Sequence, residues 1–143
     1  MFRKLSDTVF VAPQIGCAEV SDAAARGIAL IINNRPEGEG DDQTPGAEIE
    51  AAASAAGLSY VAIPVTHAGF SEWQVKAMAQ ALAEANGPVL AYCRSGTRST
   101  LLWSLAEASQ GTDPEMLAEK AALAGYDITP VRSLCDMLAA GKA

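Results

Sequence analysis

The stretch that most constrains this chain runs from Pro88 to Ser99. An apolar run, Val89 to Tyr92, ends on Cys93; a glycine-containing loop with arginines at 94 and 98 follows; Thr100-Leu-Leu-Trp-Ser-Leu-Ala then opens a helical pattern. The order is strand, loop, helix. A loop entering a helix turns backbone N–H groups and the positive end of the helix dipole toward one point, so it favours anions. A cysteine at the start of such a loop, flanked by arginine, is expected to form its thiolate readily, because both fields stabilise the charge. The local chemistry is a nucleophilic sulfur facing an oxyanion pocket.

The rest of the chain reads as the sheet around that loop. Thr8 to Ala12 is β-branched and aromatic and stops at Pro13. Ile28 to Ile32 is a continuous apolar strand of the kind covered on both faces. Leu58 to Ile63 is a further strand, ended by Pro64. Helices are expected from Ser21 to Gly27, from Pro45 to Ala56, from Ser71 to about Asn86, from the end of the Cys93 loop to about Ala108, from Thr112-Asp113-Pro114, and from about Pro130 to Ala139. This alternation predicts an α/β fold: a mainly parallel sheet of four to five strands with helices on both faces. With 143 residues, half of them apolar, the chain reads as one domain over 1–143. Ligands sit at the carboxyl ends of strands in such sheets. Asn33-Asn34-Arg35, Pro64 to Phe70 with His67, and Cys93 to Ser99 then gather on one rim, making Asn34, Arg35 and His67 candidate pocket walls.

Composition narrows the partners. The formal net charge is -7, a poor match for nucleic acid or an anionic membrane surface. No apolar run reaches membrane-spanning length, and the first residues lack the pattern of a signal peptide, so the expected location is the cytoplasm. Three cysteines without a CxxC, and a single histidine, argue against a disulfide framework and a metal site; no cofactor is implied. Cys17 and Cys135 read as small apolar residues, although Cys17 follows a strand end that opens toward the same rim. Arg98 falls in a helix first turn, where its charge opposes the dipole, so something anionic should compensate. Arg35 has two equal readings: substrate contact, or an ion pair with the acidic loop Glu37 to Asp42. That loop otherwise reads as solvated surface. His67 reads as a plain loop residue before it reads as a proton shuttle. Trp103 belongs to the core, and Trp73 could border the pocket.

The order Ile-Ile-Asn-Asn-Arg-Pro (31–36), Glu-Ile-Glu-Ala-Ala-Ala (48–53), Ala-Gly-Leu (56–58), Ile-Pro-Val (63–65) and Ala-Tyr-Cys-Arg-Ser-Gly-Thr-Arg-Ser (91–99) resembles the bacterial DUF442 family, the beta-lactamase-hydrolase-like, phosphatase-like domain. The resemblance extends to about residue 110. It implies a three-layer fold like that of cysteine-dependent dual-specificity phosphatases. It also implies the company of sulfurtransferases, since such domains occur fused to persulfide dioxygenases.

The loop bears on which reaction applies. Phosphatases of this type use Cys-x5-Arg, with the arginine gripping two phosphate oxygens. Here Arg98 is the fifth residue after Cys93 and Ser99 the sixth, giving Cys-x4-Arg, similar to the tighter loops of rhodaneses. The loop that should carry an aspartic general acid, Pro64 to Phe70, has none; His67 or Glu72 could substitute. Both departures lean toward sulfur transfer. Cys93 would become a persulfide, backbone N–H groups from Arg94 through Ser95, Gly96 and Thr97 to Ser99 would hold the transferred atom, and Arg98 with Arg94 the anionic remainder. The donor would be a small anionic sulfur compound and the acceptor a thiol or a separate persulfide dioxygenase. The alternative is a phosphoester hydrolase acting through a Cys93 phosphocysteine. A third class, a non-catalytic anion or redox binding module, would need no reactive cysteine.

Overall fold

The computed structural model describes residues 2–142. Five strands form one sheet: β1 (Arg3–Lys4), β2 (Val9–Ala12), β3 (Leu30–Asn33), β4 (Ser59–Ala62) and β5 (Val89–Tyr92), in the order β1-β2-β5-β3-β4. β1 is antiparallel to β2; the other pairings are parallel. Six α-helices complete the fold: α1 (Cys17–Ala25), α2 (Gly46–Ala55), α3 (Glu72–Glu84), α4 (Thr97–Ser109), α5 (Pro114–Leu123) and α6 (Arg132–Lys142), the last preceded by a 3₁₀ turn at Thr129–Val131. The α/β class and the mostly parallel sheet are as the sequence predicts.

Side chains alternate across the sheet with period two, so each strand feeds two cores. Val89 and Ala91 face one side with Val9, Val11, Leu30 and Ile32, against Met78 of α3, Leu102 and Leu105 of α4 and Cys135 of α6. Leu90 and Tyr92 face the other side with Ile31, against Val20 and Ala23 of α1 and Ile49 and Ala53 of α2. α4 is buried nearly all round, with Trp103 1% exposed, because it lies between the sheet and helices α3, α5 and α6. Trp103 is therefore core, and truncating it to alanine would cost about 3–5 kcal/mol.

The register matters most for function. Tyr92 is level with both Ala12 and Asn33, and Asn33 is level with Ala62. Four parallel strands thus end at one height, and the residues that follow them, Pro13, Asn34, Ile63 and Cys93, form a single rim.

Several boundaries differ from the sequence expectation. α1 starts at Cys17 rather than Ser21, because the Glu19 carboxylate accepts from the Gly16 N–H at 2.6 Å and caps the helix four residues earlier. β3 starts at Leu30 because the Ile28 N–H closes the end of α1 on the Ala23 carbonyl, at 3.0 Å. β1 has two residues, too few for any periodic signal. Among the described residues no helix is long and apolar enough to cross a membrane.

Candidate active site at the strand ends

Cys93 is fully buried at the end of β5, and the loop after it curls so that the Gly96 N–H donates to Cys93 Sγ at 3.1 Å. Gly96 makes this possible with φ +92, a left-handed conformation that side-chain-bearing residues rarely adopt. Thr97 then begins α4, so the sulfur lies at a helix N-terminus with a backbone donor aimed at it. Ser95 and Thr97 are exposed; their hydroxyls lie 3.0 Å apart.

Arg98, in the first turn of α4, extends across the rim. Its Nη1 donates to the Val65 carbonyl at 2.7 Å and to Glu39 Oε2 at 2.7 Å, while Nη2 donates to Glu39 Oε1 at 2.9 Å. The guanidinium is held above its ordinary range, first by the Glu39 hydrogen bonds, against desolvation, with the neighbouring Cys93 adding to the effect. This compensates a cation that would otherwise oppose the dipole of α4. The Glu39 carboxyl falls from 4.5 to about 2, because Arg98 foremost, then Arg35, stabilises its charge against the cost of burial.

Arg35 is 4% exposed; its Nε donates to Glu39 Oε1 at 3.0 Å and its Nη1 to Gln14 Oε1 at 3.0 Å. Of its two readings, the ion pair is the one realised. The reading of the 37–42 loop as solvated surface holds for Asp41 and Asp42, which are exposed, and is corrected at Glu39, whose carboxylate reaches into the rim; Glu37 Oε1 accepts from the Gly46 N–H at 2.9 Å where α2 begins. The chain of Glu39 is open to solvent, but its side chain is only 20% exposed.

Asn34 is a buried tie at the centre of the rim. Its N–H donates to the Tyr92 carbonyl at 2.8 Å, its Nδ2 to the Ile63 carbonyl at 2.9 Å, and its Oδ1 accepts from Ser99 Oγ at 2.8 Å. Ser99 therefore anchors the loop through its side chain. The 64–70 segment is fastened by Gln74, whose Nε2 donates to the Pro64 carbonyl at 2.8 Å and whose Oε1 accepts from the Ser71 N–H at 2.8 Å.

Not every expected residue joins. Arg94 is exposed and makes no ion pair among the described residues; its carbonyl accepts from the Gln14 N–H at 3.2 Å. His67 is exposed in the Thr66–Gly69 turn. Trp73 is 55% exposed at the start of α3, not packed at the rim. The reading of Cys17 as an apolar filler is also corrected: it is exposed, with Sγ 3.9 Å from the Glu48 carbonyl, because it sits on the first turn of α1. Cys135 is buried as expected, beside Ser104, and burial pushes its thiol up.

Two residues that sequence reasoning missed touch the loop from outside. Tyr126 donates its hydroxyl to the Ser95 carbonyl at 3.0 Å and covers Gly96. Nothing local to Gly125-Tyr126 signals this, because the contact depends on how α5 packs. Gln14 was equally silent. Glu39 had one signal: it stands four residues after Arg35, between two glycines.

The family model for the beta-lactamase hydrolase-like protein, phosphatase-like domain, matches residues 1–110. The chain belongs to this family. A beta-lactamase hydrolase-like protein of Agrobacterium fabrum is 38% identical over 108 residues, which cover 76% of this chain and 25% of that protein. The chain thus spans about a quarter of the length of the curated relatives it matches. Among solved structures, a Neisseria meningitidis Z2491 protein provisionally assigned as a phosphatase superposes with TM-score 0.83 and 33% identity, over 95% of this chain and 96% of that one. The core catalytic domain of the S. cerevisiae PP-IP phosphatase, solved with citrate, superposes with TM-score 0.72 at 15% identity, over 95% and 83%. The fold is therefore that of the cysteine phosphatases. Tyr126 and α6 lie beyond the stretch the family model matches.

Proposed function

We propose that this chain is a cysteine-dependent hydrolase of the phosphatase type, acting on a small phosphoester through a phosphocysteine on Cys93. The observation that carries the reading is the Gly96 N–H aimed at Cys93 Sγ, with Arg98 beside it at the head of α4. Family membership and the phosphatase fold support the same reaction class. In the first step the Cys93 thiolate attacks phosphorus: an S–P bond forms, the P–O bond to the leaving group breaks, and the departing oxygen takes its proton from solvent water. The backbone donors of residues 94–99 and the Arg98 fork hold the non-bridging oxygens. Water then hydrolyses the S–P bond, restoring the thiol and releasing phosphate. Residues 64–70 hold no aspartate to protonate the leaving oxygen, so aryl phosphates, whose leaving groups are already good, should be turned over best.

The short Cys-x4-Arg loop favours a second reading, sulfur transfer. Cys93 would take the sulfane sulfur of a donor such as thiosulfate, releasing sulfite, and pass it from the persulfide to cyanide, a thiol or a separate persulfide dioxygenase.

The two are separated by incubating the protein and its Cys93→Ser variant with an aryl phosphate, and in parallel with thiosulfate or glutathione persulfide followed by mass spectrometry. Cys93-dependent phosphate release supports the first reading. A one-sulfur gain on Cys93, discharged by cyanide, without phosphate release replaces it with the second. Neither activity, in a protein whose Cys93 does not alkylate at neutral pH, leaves a binding module.

A further inference from the structure

Arginine carries five N–H donors. In Arg98, one N–H of Nη1 and one of Nη2 are engaged end-on by the two oxygens of Glu39, fifty-nine residues away in sequence, and the second N–H of Nη1 is engaged by the Val65 carbonyl. Two donors remain: Nε–H and the second N–H of Nη2. They project side by side from one edge of the guanidinium plane, the arrangement that grips an oxyanion bidentately. Arg98 stands in the first turn of α4, two residues after the Gly96 N–H aimed at Cys93 Sγ, so its guanidinium shares the rim with the sulfur.

Glu39 is itself held firmly. Arg35 grips its Oε1, and Gln14 grips Arg35. The Glu39 N–H donates to Gln43 Oε1 at 2.9 Å, and Gln43 Nε2 donates to the Pro36 carbonyl at 2.8 Å, closing the loop on itself. The Gln14 N–H returns to the Arg94 carbonyl, so the network is continuous with the Cys93 loop. A mobile plug would need no such bracing.

The geometry points to Glu39 as the positioning residue for Arg98: by taking the end of the guanidinium it turns the Nε/Nη2 edge toward the substrate oxyanion. This rests on the phosphatase reading for the identity of that oxyanion. Glu39 touches no reacting atom, and its effect passes through Arg98. Replacing it with glutamine removes a negative charge from the rim, so anion affinity holds or rises, while the arginine loses its orientation and the chemical step slows. A reacting group misplaced by about an ångström can lose roughly a hundredfold in rate.

The test joins a spectroscopic readout to a kinetic one. In ¹⁵N spectra of the guanidinium groups, wild type should show a slowly rotating, resolved Nη pair that is absent in Arg98→Lys. Glu39→Gln should collapse that pair, lower kcat on an aryl phosphate by about ten- to a hundredfold with KM unchanged or lower, and have no further effect in the Arg98→Lys background. A resolved Nη pair that persists in Glu39→Gln overturns the proposal. So does a kcat within twofold of wild type, a rise in kcat/KM, or an equal loss in the Arg98→Lys background. If wild type turns over no aryl phosphate, the phosphatase reading falls, and the collapse of the Arg98 signal alone decides whether Glu39 orients it.

Discussion

Ser99 Oγ donates to Asn34 Oδ1 at 2.8 Å, joining the first turn of α4 to the end of β3 across sixty-five residues. Both residues are fully buried. The Asn34 side chain also binds the backbone after β4, and its N–H the end of β5, so one residue sets the height of the Cys93 loop relative to three strands. Ser99→Ala would leave Oδ1 buried without a partner, at a cost of about 1–3 kcal/mol. Asn34→Ala should cost more, since it releases the Ile63 carbonyl as well. Urea denaturation of both variants checks the order. Equal stability of Ser99→Ala and wild type would mean the bond contributes nothing.

Gly96→Ala should impair both stability and turnover. Its φ of +92 disfavours a side chain, and a Cβ there would run into the hydroxyl of Tyr126. The left-handed backbone alone accounts for about 1 kcal/mol, and the collision adds to it. The N–H aimed at Cys93 would tilt as the loop adjusts. Tyr126→Phe should lose about 1 kcal/mol with its bond to Ser95, yet soften the effect of Gly96→Ala when the two are combined. Strict additivity in melts of the double variant would count against the contact.

The ion pair at Glu39 fixes an acid dependence. Its folded-state carboxyl is depressed from 4.5 to about 2, so its contribution is fully present above pH 4.5 and is lost as pH falls toward 2. Partial exposure screens the pair, which leaves on the order of 1–3 kcal/mol at neutral pH. The stability gap between wild type and Glu39→Gln should be level from pH 7 to 5 and narrow by about half near pH 3. Urea titrations at pH 7, 5 and 3 measure it; a gap that widens on acidification would reverse the sign.

Tyr92 is 1% exposed, and among the described residues its hydroxyl has no hydrogen-bond partner. Burial holds the phenol far above its usual range. An unmet buried hydroxyl is a liability, so Tyr92→Phe should be neutral or stabilising by about 1 kcal/mol. A clear drop in melting temperature would reveal a partner for that hydroxyl.

What the sequence determined by itself is local and contiguous. The run Val89 to Tyr92, Cys93, the glycine at 96 and the start of α4 follow one another along the chain, so strand, anion-facing loop and helix were legible from neighbouring residues alone. The rim was legible too, because parallel strands of similar length must end together. The tertiary structure alone decided what closes on that loop. Glu39 looked like one more acid in a solvated, glycine-broken segment, and only the packing of that segment across the rim delivers its carboxylate to Arg98. Tyr126 and Gln14 likewise carry no local pattern. A hydrogen bond between residues thirty to sixty positions apart depends on how sheet and helices set their distance, and no periodicity records that.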